Sequence, residues 1–322
     1  MGKKTIAGLL FMSCFCCVAA ISLAQEKRPS EKKKTDRDHI SINGRSLRWE
    51  HTNSDNGRNV TLAGKNAQFN DDYTDIEHIA PDGYFNLSEE RAGMVQRLEI
   101  TPAADGQLKR LYTVRGEVRP FDDAARRWLA RLLSESVAGS GFDAEARVAK
   151  ILKRGGASAV LAEMARLKSD YARRVYSSVM LEQGNLRGEQ LAKLLTQNSR
   201  AISSDYEKAT LLIQVLKNNL TDRDVRAAFF ETLGTLSSDY ERGRVLAVLL
   251  KRDDLATETI MLALKSVGGM SSDYEKANVL IRASKTGAAN EPVRAAIIEA
   301  AHALSSDHER GRVLTAVTKK QL

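Results

Sequence analysis

The histidines of this chain are candidate catalytic or metal-binding residues. The zinc-binding pattern His-Glu-x-x-His, which places two imidazoles on one helix face, does not occur in the sequence. His308 precedes Glu309, but the positions 34 and 68 residues earlier are tyrosines, so we interpret it as a variant residue near a helix start. His51 and His78 fall in a β-rich segment and could approach each other, which makes them the candidate centre of an enzyme. The remaining histidines are His39 and His302.

A second group with metal-binding chemistry is the carboxylate cluster Asp71, Asp72 and Asp75. An EF-hand calcium loop needs oxygen ligands at fixed spacing and a glycine for its sharp turn. The cluster has neither, so a solvated turn is the simpler interpretation and a weak calcium site is the alternative. A Gly-x-Ser-x-Gly motif, a P-loop and a dinucleotide fingerprint do not occur. The sequence therefore predicts no catalytic residue, no metal, no cofactor and no enzymatic activity.

The first 24 residues have the features of an export signal. Lys3 and Lys4 precede an uncharged, mostly apolar run over residues 5–24, and Ser22-Leu23-Ala24 supplies the small residues of a signal-peptidase site. We predict a signal peptide over residues 1–24 and a periplasmic or secreted protein. One alternative is an inner-membrane anchor, because an uncharged run of this length can span a bilayer.

All three cysteines lie inside this segment. A lipoprotein is the second alternative, and it requires that Cys14, Cys16 or Cys17 carry the lipid although bulky residues precede each of them. Once the signal is removed, the chain has no cysteine and therefore no disulfide, no thiolate metal site and no cysteine nucleophile.

The charge balance is basic, with a formal net charge of +8 at pH 7. Residues 25–38 are rich in lysine and glutamate, which predicts a disordered linker. Basic runs often indicate nucleic acid, but export removes that partner. Contact with a membrane is expected only through the possible N-terminal anchor. We expect a protein or peptide as the partner.

Residues 39–121 predict a small antiparallel β-rich domain. Short segments of alternating polarity are separated by turn residues. The predicted turns are Ser54-Asp55-Asn56-Gly57, Pro81-Asp82-Gly83 and Asp105-Gly106. The predicted strands cover residues 47–51, 60–62, 75–79, 84–87, 95–100 and 108–114.

Residues 122–322 predict an α-solenoid of helix hairpins, similar in kind to tetratricopeptide and HEAT repeats. The phrase Ser-Ser-Asp-Tyr-Glu, once with His in place of Tyr, recurs every 34 residues, which is typical of stacked supersecondary units. An incomplete copy has Ala172 in place of the glutamate. Earlier helices are predicted at 120–134, 143–152 and 157–167. The fold class is thus α+β, a β-rich N-terminal domain followed by a solenoid whose repeats start near residues 169, 203, 237, 271 and 305.

Each repeated phrase matches a capping box at the start of a helix. The serine oxygen is expected to accept a hydrogen bond from the backbone N–H of the glutamate. The glutamate is expected to reach back to the N–H of the serine, so that two unpaired donors of the first turn are satisfied. The predicted pairs are Ser204 with Glu207, Ser238 with Glu241, Ser272 with Glu275, and Ser306 with Glu309.

Repeating tyrosines and arginines are the candidate partner-binding residues. The tyrosines either form an exposed aromatic ladder or pack their rings on the preceding repeat with only the hydroxyl in water, which is the simpler interpretation. The arginines either line a basic surface for an acidic partner or face solvent. The tyrosines are Tyr171, Tyr206, Tyr240 and Tyr274; the arginines are Arg226 and Arg294, with Arg242, Arg244, Arg310 and Arg312.

Several stretches outside the repeats carry a family resemblance. They are Phe-Asn-Asp-Asp-Tyr-Thr-Asp-Ile-Glu from Phe69, Arg-Leu-Glu from Arg97, Arg-Pro-Phe-Asp from Arg119 and Trp-Leu from Trp128. With the repeats, they resemble uncharacterised bacterial exported proteins and the extracytoplasmic tails of membrane zinc metallopeptidases of the β-lactam-sensor type. The resemblance covers roughly residues 45–322 and excludes the peptidase itself. It implies an accessory or sensing module of the cell envelope, and no functional residue carries over.

Three functions are consistent with these patterns. The leading one is an exported scaffold that binds a protein or peptide through the helical-repeat surface. The second, based on the resemblance alone, is an accessory sensor or regulator of a membrane metallopeptidase. The third is an enzyme whose site lies near His51 and His78. The identity of the partner and the oligomeric state stay open.

Overall fold

The computed structural model describes residues 35–43, 46–55, 57–217, 220–286 and 290–318, and it describes side chains from residue 57 onward. The predicted signal peptide and residues 25–34 of the predicted linker lie outside this range. No described helix has the length and apolar character that crossing a membrane requires.

The N-terminal part is an antiparallel sheet in which each strand pairs with the next along the chain. A helical series follows it, so the predicted α+β fold class is confirmed. The strands are β1 (Thr35–Asn43), β2 (Ser46–Asp55), β3 (Arg58–Phe69), β4 (Ile76–Arg91), β5 (Met94–Pro102), β6 (Leu108–Val114) and β7 (Glu117–Arg119).

One predicted turn is wrong. Pro81-Asp82-Gly83 lies inside β4, where residues 80–83 bulge out opposite Asn66 because the pairing steps from Ala67–Ile79 to Lys65–Tyr84. The Asn66 amide donates to Asp82 over 2.9 Å, which fixes the bulge. A Cβ on Gly83 would lie 2.5 Å from the Lys65 carbonyl oxygen, so this position requires glycine. Turn-forming residues here bend one strand and do not separate two.

The other sheet boundaries agree better with the sequence. The predicted turn at residues 105–106 lies between β5 and β6, and β2 ends at Asp55 while β3 begins at Arg58. The predicted linker is wrong in its last four residues, because β1 begins at Thr35.

Helix α1 (Asp123–Ser140) covers one face of the sheet. The Asp122 carboxylate caps it by accepting from the N–H groups of Ala124 and Ala125, both at 3.0 Å. Its apolar stripe enters the core that the sheet forms, because alternate strand residues face the same way. The helical side of this core is Trp128, Leu129, Leu132 and Leu133, and the strand side includes Leu62, Phe85, Leu87, Leu98 and Ile100.

A buried carboxylate fixes α1 against the sheet. Glu89 of β4 is 6% exposed and accepts from Arg58 at 2.5 Å, from the Trp128 indole at 2.7 Å and from Arg131 at 3.0 Å. Burial alone would raise the pKa of Glu89, but these three donors outweigh it and hold the pKa below its usual range. The carboxylate is therefore ionised and fully paired, which is the condition for tolerating a buried charge.

The remaining helices form the solenoid. The two predicted helices at 143–152 and 157–167 are confirmed: α2 consists of two helical segments separated by a kink at Gly156, whose φ of 64° is not helical. Its N-cap position is Asp143. The helices are α2 (Ala144–Met164), α3 (Asp170–Gln183), α4 (Gly188–Ala201), α5 (Asp205–Val215), α6 (Arg223–Gly234), α7 (Asp239–Leu249), α8 (Thr257–Val267), α9 (Asp273–Thr286), α10 (Glu291–His302) and α11 (Asp307–Thr318).

The helices stack in two rows. Helices α3, α5, α7, α9 and α11 contact one another in succession and form the first-helix row, while α4, α6, α8 and α10 form the second-helix row. One continuous apolar core runs between the rows from Ala144 to Val317. Each helix buries its apolar side against both its own partner and the next unit, as in other solenoids.

The serine half of every predicted capping box is present. The hydroxyl oxygens of Ser204, Ser238, Ser272 and Ser306 accept from the N–H of the residue three positions on, at 3.3–3.4 Å. The glutamate half is wrong, because the serine N–H groups donate to an aspartate of the preceding unit.

This aspartate contact repeats along the solenoid, and we call it the aspartate ladder. In each case Oδ2 of the first helical residue accepts from backbone N–H groups at the start of the next helix in the first row. The bonds are Asp170 to Ser203 and Ser204 (2.9 and 2.8 Å), Asp205 to Ser237 and Ser238 (2.9 and 2.7 Å), Asp239 to Ser271 and Ser272 (both 2.7 Å), and Asp273 to Ser306 (2.8 Å). The incomplete copy at 169 has the aspartate but not the glutamate. This difference in the sequence indicates that the aspartate, and not the glutamate, makes the contact with the next unit.

We predict that Asp205→Asn destabilises the chain at pH 7 by about 1–2 kcal/mol, because hydrogen bonds to a charged acceptor are lost. Burial opposes ionisation of Asp205, but its bonds from Ser237 and Ser238 lower its pKa below the ordinary value. An acid with a lowered folded-state pKa stabilises above its unfolded pKa of about 4 and loses that contribution as the pH falls through the folded pKa. The difference in the free energy of unfolding between variant and wild type should therefore decrease as the pH falls below about 5, because Asp205 then becomes protonated.

The measurement is urea unfolding at pH 7 and at acid pH, and Asp307→Asn is the matched control. Asp307 occupies the same repeat position, but its side chain is 91% exposed and pairs with Arg310. Equal stability of the two variants at pH 7 would show that the ladder does not hold the units together.

Candidate binding site

The two histidines that could have formed an enzymatic centre are not brought together. His51 pairs with Leu62 on β3, while His78 pairs with Gln68, six residues further along the same strand. At the rise of a β-strand this separates them by about 20 Å. His78 is also exposed.

The acidic cluster is occupied by ion pairs. Asp71 pairs with Arg154 and lies 3.9 Å from the Lys150 ammonium. Asp75 pairs with Arg110 at 3.2 Å. No three metal-ligating side chains come together within the described part of the chain. The calcium alternative therefore has no geometric support among these residues.

A buried polar cluster joins the two cores. The Tyr73 hydroxyl donates to the Asp143 carboxylate at 2.5 Å, and the Arg147 guanidinium lies 4.5 Å from the centre of the Tyr73 ring. Arg147 also donates to Glu163 at 2.5 Å. Tyr73 belongs to the sheet core, whereas Tyr176, beside the cluster, belongs to the solenoid core, and the two are 2% and 0% exposed.

The ionisation of this cluster follows from its burial. Burial raises the pKa of Asp143, and the hydrogen bond from Tyr73 only partly offsets this. Burial likewise raises the pKa of Tyr73 and of Tyr176, so both phenols stay protonated. Tyr73 and Asp143 have φ of 54° and 53°, a conformation that costs energy for residues other than glycine. Because both tyrosines are sealed from solvent, we interpret the cluster as a structural joint.

The tyrosine row lies on the exposed side of the first-helix row. Tyr171, Tyr206, Tyr240 and Tyr274 are 36%, 56%, 63% and 57% exposed. For Tyr206, Tyr240 and Tyr274, the interpretation that only the hydroxyl is in water is therefore wrong. Large exposed aromatic rings at a regular interval are instead available for contact with a partner.

Arginines cover three of these four rings. The guanidinium of Arg174 lies 4.9 Å from the centre of the Tyr171 ring, that of Arg244 lies 5.0 Å from Tyr206, and that of Arg312 lies 5.5 Å from Tyr274. Arg244 and Arg312 come from the unit that follows their tyrosine. These distances allow a cation–π contact.

The same arginines form ion pairs with the glutamates that do not complete a capping box. Arg174 donates to Glu207 at 2.8 Å, Arg244 lies 2.7 Å from Glu241, and Arg312 pairs with Glu309. Each of the three arginines thus combines one carboxylate with one tyrosine ring.

The contact between α7 and α9 breaks this pattern. Asn278 stands where Arg244 and Arg312 stand in the neighbouring units, and Gly243 stands in the place of Arg174. As a result, within the described residues no arginine covers the Tyr240 ring and no cation pairs with Glu275. The Glu275 carboxylate instead approaches Gly243, where a Cβ would lie 2.9 Å from it.

A cavity of about 390 Å³ opens between α7 and α9 at this point. Tyr240, Gly243 and Glu275 line one end. Arg282 and Lys285 also line it, and they lie at least seven residues further along α9 than Glu275. We call this cavity the Tyr240 groove. A second, more open cavity of about 670 Å³ lies beside α4 and includes Lys193 in its lining.

No family model, curated protein or solved structure matches this chain. The resemblance to metallopeptidase tails therefore stays a prediction, and the assignment of the site rests on geometry.

Arg226 and Arg294 do not join the tyrosines in one site. They lie on α6 and α10 in the second-helix row, where Arg226 pairs with Glu258 at 2.7 Å and Arg294 pairs with Glu291 at 2.8 Å. Other arginines of the predicted basic surface hydrogen-bond backbone carbonyls: Arg242 donates to Gly269 and Leu236, and Arg310 donates to Leu304. Many of the arginines predicted to form a basic surface are therefore paired with groups of the chain itself.

We predict that Tyr73→Phe destabilises the chain at pH 7 by about 1–3 kcal/mol, because the half-buried Asp143 carboxylate loses its donor. The penalty should be smaller near pH 4. The raised pKa of Asp143 means that the carboxyl becomes protonated, and needs this donor less, as the pH falls.

Urea unfolding at both pH values gives the comparison. Tyr240→Phe is the control, because its ring is 63% exposed, and we expect a change below about 0.5 kcal/mol. A Tyr73→Phe variant as stable as the control would show that the joint contributes nothing.

Proposed function

We propose that this chain is a non-enzymatic scaffold that binds a protein or peptide along the tyrosine row of its solenoid. The observation that carries the proposal is the row of exposed rings, which includes the ring of Tyr240 beside its groove. Tyrosine is common in the most strongly contributing parts of protein interfaces, because a large rigid ring contributes contact area at little entropic cost.

The geometry of the solenoid supports binding of an extended segment. Stacked units present equivalent surfaces at a constant interval, which suits a ligand that runs across several of them. The aspartate ladder fixes the starts of α5, α7, α9 and α11, and a tyrosine follows each ladder aspartate in the sequence. The rings are thus held at defined positions before a partner arrives, which lowers the entropic cost of binding.

The place of action that we propose is outside the cytoplasm. The support for it is the charge and apolar pattern of residues 1–24. A cysteine-free mature chain is compatible with such a location, because a core of this size does not need disulfides for stability.

We predict that a photo-crosslinking amino acid in place of Tyr240 captures a specific partner in the cells that produce the protein. The same amino acid in place of Lys193, beside α4, is the matched control for an exposed solenoid position. Mass spectrometry of the adducts should show a partner enriched at least about tenfold at position 240. Converting Tyr206 and Tyr274 to Ser in the same chain should reduce that adduct.

Identical adducts at positions 193 and 240 would count against the tyrosine row. Capture of nothing above background at position 240, with the protein folded and present at its normal level, would contradict the scaffold proposal.

A further inference from the structure

We propose that the Tyr240 groove binds an arginine side chain of a partner's peptide segment, with the guanidinium stacked on Tyr240 and paired with Glu275. This inference rests on the proposed function and specifies the chemistry that the scaffold recognises. It assigns one position of the tyrosine row to one kind of side chain.

The solenoid itself supplies the precedent. In the flanking units, Arg244 stacks on Tyr206 and pairs with Glu241, and Arg312 stacks on Tyr274 and pairs with Glu309. An arginine between an exposed tyrosine ring and a cap glutamate is therefore the regular arrangement of this surface.

The Tyr240 groove has the ring and the carboxylate but not the arginine. The loss has two causes in the sequence, Asn278 in place of one arginine and Gly243 in place of the other. Gly243 also leaves open the space beside the Glu275 carboxylate. Among the described residues, the carboxylate and the ring are without a cationic partner, and a cavity of about 390 Å³ gives access to both.

The electrostatics of Glu275 favour an incoming cation. Partial burial raises the pKa of Glu275, and the nearby Asp239 carboxylate raises it further. A guanidinium bound at this position would relieve both effects, because it supplies hydrogen-bond donors and a positive charge to the carboxylate.

The other charges of the groove define the rest of the ligand. Arg244 and Arg312 line the groove but are neutralised by Glu241 and Glu309. Arg282 lies seven residues after Glu275 on α9, which is about 10 Å along the helix. The groove is thus negative at the Glu275 end and positive at the Arg282 end, so a segment with an arginine and, further along, a carboxylate is complementary to it.

Arginine fits this position better than lysine does. A planar guanidinium stacks on an aromatic ring and donates to a carboxylate at the same time, whereas the ammonium of lysine is a compact, strongly hydrated charge. We therefore expect the groove to bind arginine more tightly than lysine and more tightly than a neutral residue.

The test begins with selection of a random heptapeptide library on the full chain. We expect arginine to be enriched in the selected peptides. Fluorescence anisotropy with a labelled selected peptide should then show at least a tenfold weaker affinity when its arginine is replaced by lysine or by citrulline.

Three protein variants locate the contact. Glu275→Gln removes the charge at nearly constant shape, and Asn278→Arg restores the arginine that the flanking units have and so fills the groove from within. Both should weaken peptide binding at least tenfold, while Lys193→Ala beside α4 should leave it unchanged. Circular dichroism and thermal unfolding confirm that each variant is folded.

The outcomes separate this inference from the proposed function. Selected peptides without arginine enrichment, or unchanged binding to Glu275→Gln, overturn the arginine assignment and leave the scaffold in place. Selection of no peptide above background overturns both. Concentration-dependent dimerisation that Glu275→Gln abolishes would place the arginine in a second copy of this chain and overturn the assignment to a separate partner.

Discussion

The solenoid depends on one repeated contact. A carboxylate at the start of one helix accepts hydrogen bonds from the backbone at the start of the next helix in the first-helix row. The first N–H groups of a helix have no partner within it. In this chain the serine hydroxyl satisfies one of them, and Asp170, Asp205, Asp239 and Asp273 bind the N–H groups just before the next helix. The contact also places a negative charge near the positive end of both helix dipoles. Stacking of units and capping of helices are therefore the same interaction.

The ladder has a consequence for the surface. Because the aspartates occupy the serine N–H groups, the cap glutamates are released from the capping box, and Glu207, Glu241 and Glu309 pair with arginines. Those arginines in turn cover tyrosine rings. Where Gly243 and Asn278 interrupt the series, a ring and a carboxylate are left exposed to a groove. The proposed binding site thus lies where the sequence departs from the repeat, and comparison with the other units shows that an arginine is absent there.

The β-rich part is attached to the solenoid by buried polar groups as well as by apolar packing. Glu89 fixes α1 on the sheet, and the Tyr73–Asp143 hydrogen bond links the sheet core to the first solenoid helices. Buried polar contacts require a precise arrangement because an unpaired buried group is costly. The sheet and the solenoid therefore have one defined arrangement at this joint, and the first unit of the solenoid packs against the β-rich part.

The sequence by itself determined the fold class, the 34-residue period and the serine caps at Ser204, Ser238, Ser272 and Ser306, because these depend on local spacing. It missed the bulge in β4, since Pro81-Asp82-Gly83 has the same local preference for a turn as for a bulge. It also assigned the serine N–H groups to glutamates three residues away. Only the tertiary structure decided that assignment: a local and a distant carboxylate compete for the same donors, and the stacking of units brings the aspartate 32–34 residues away into direct contact.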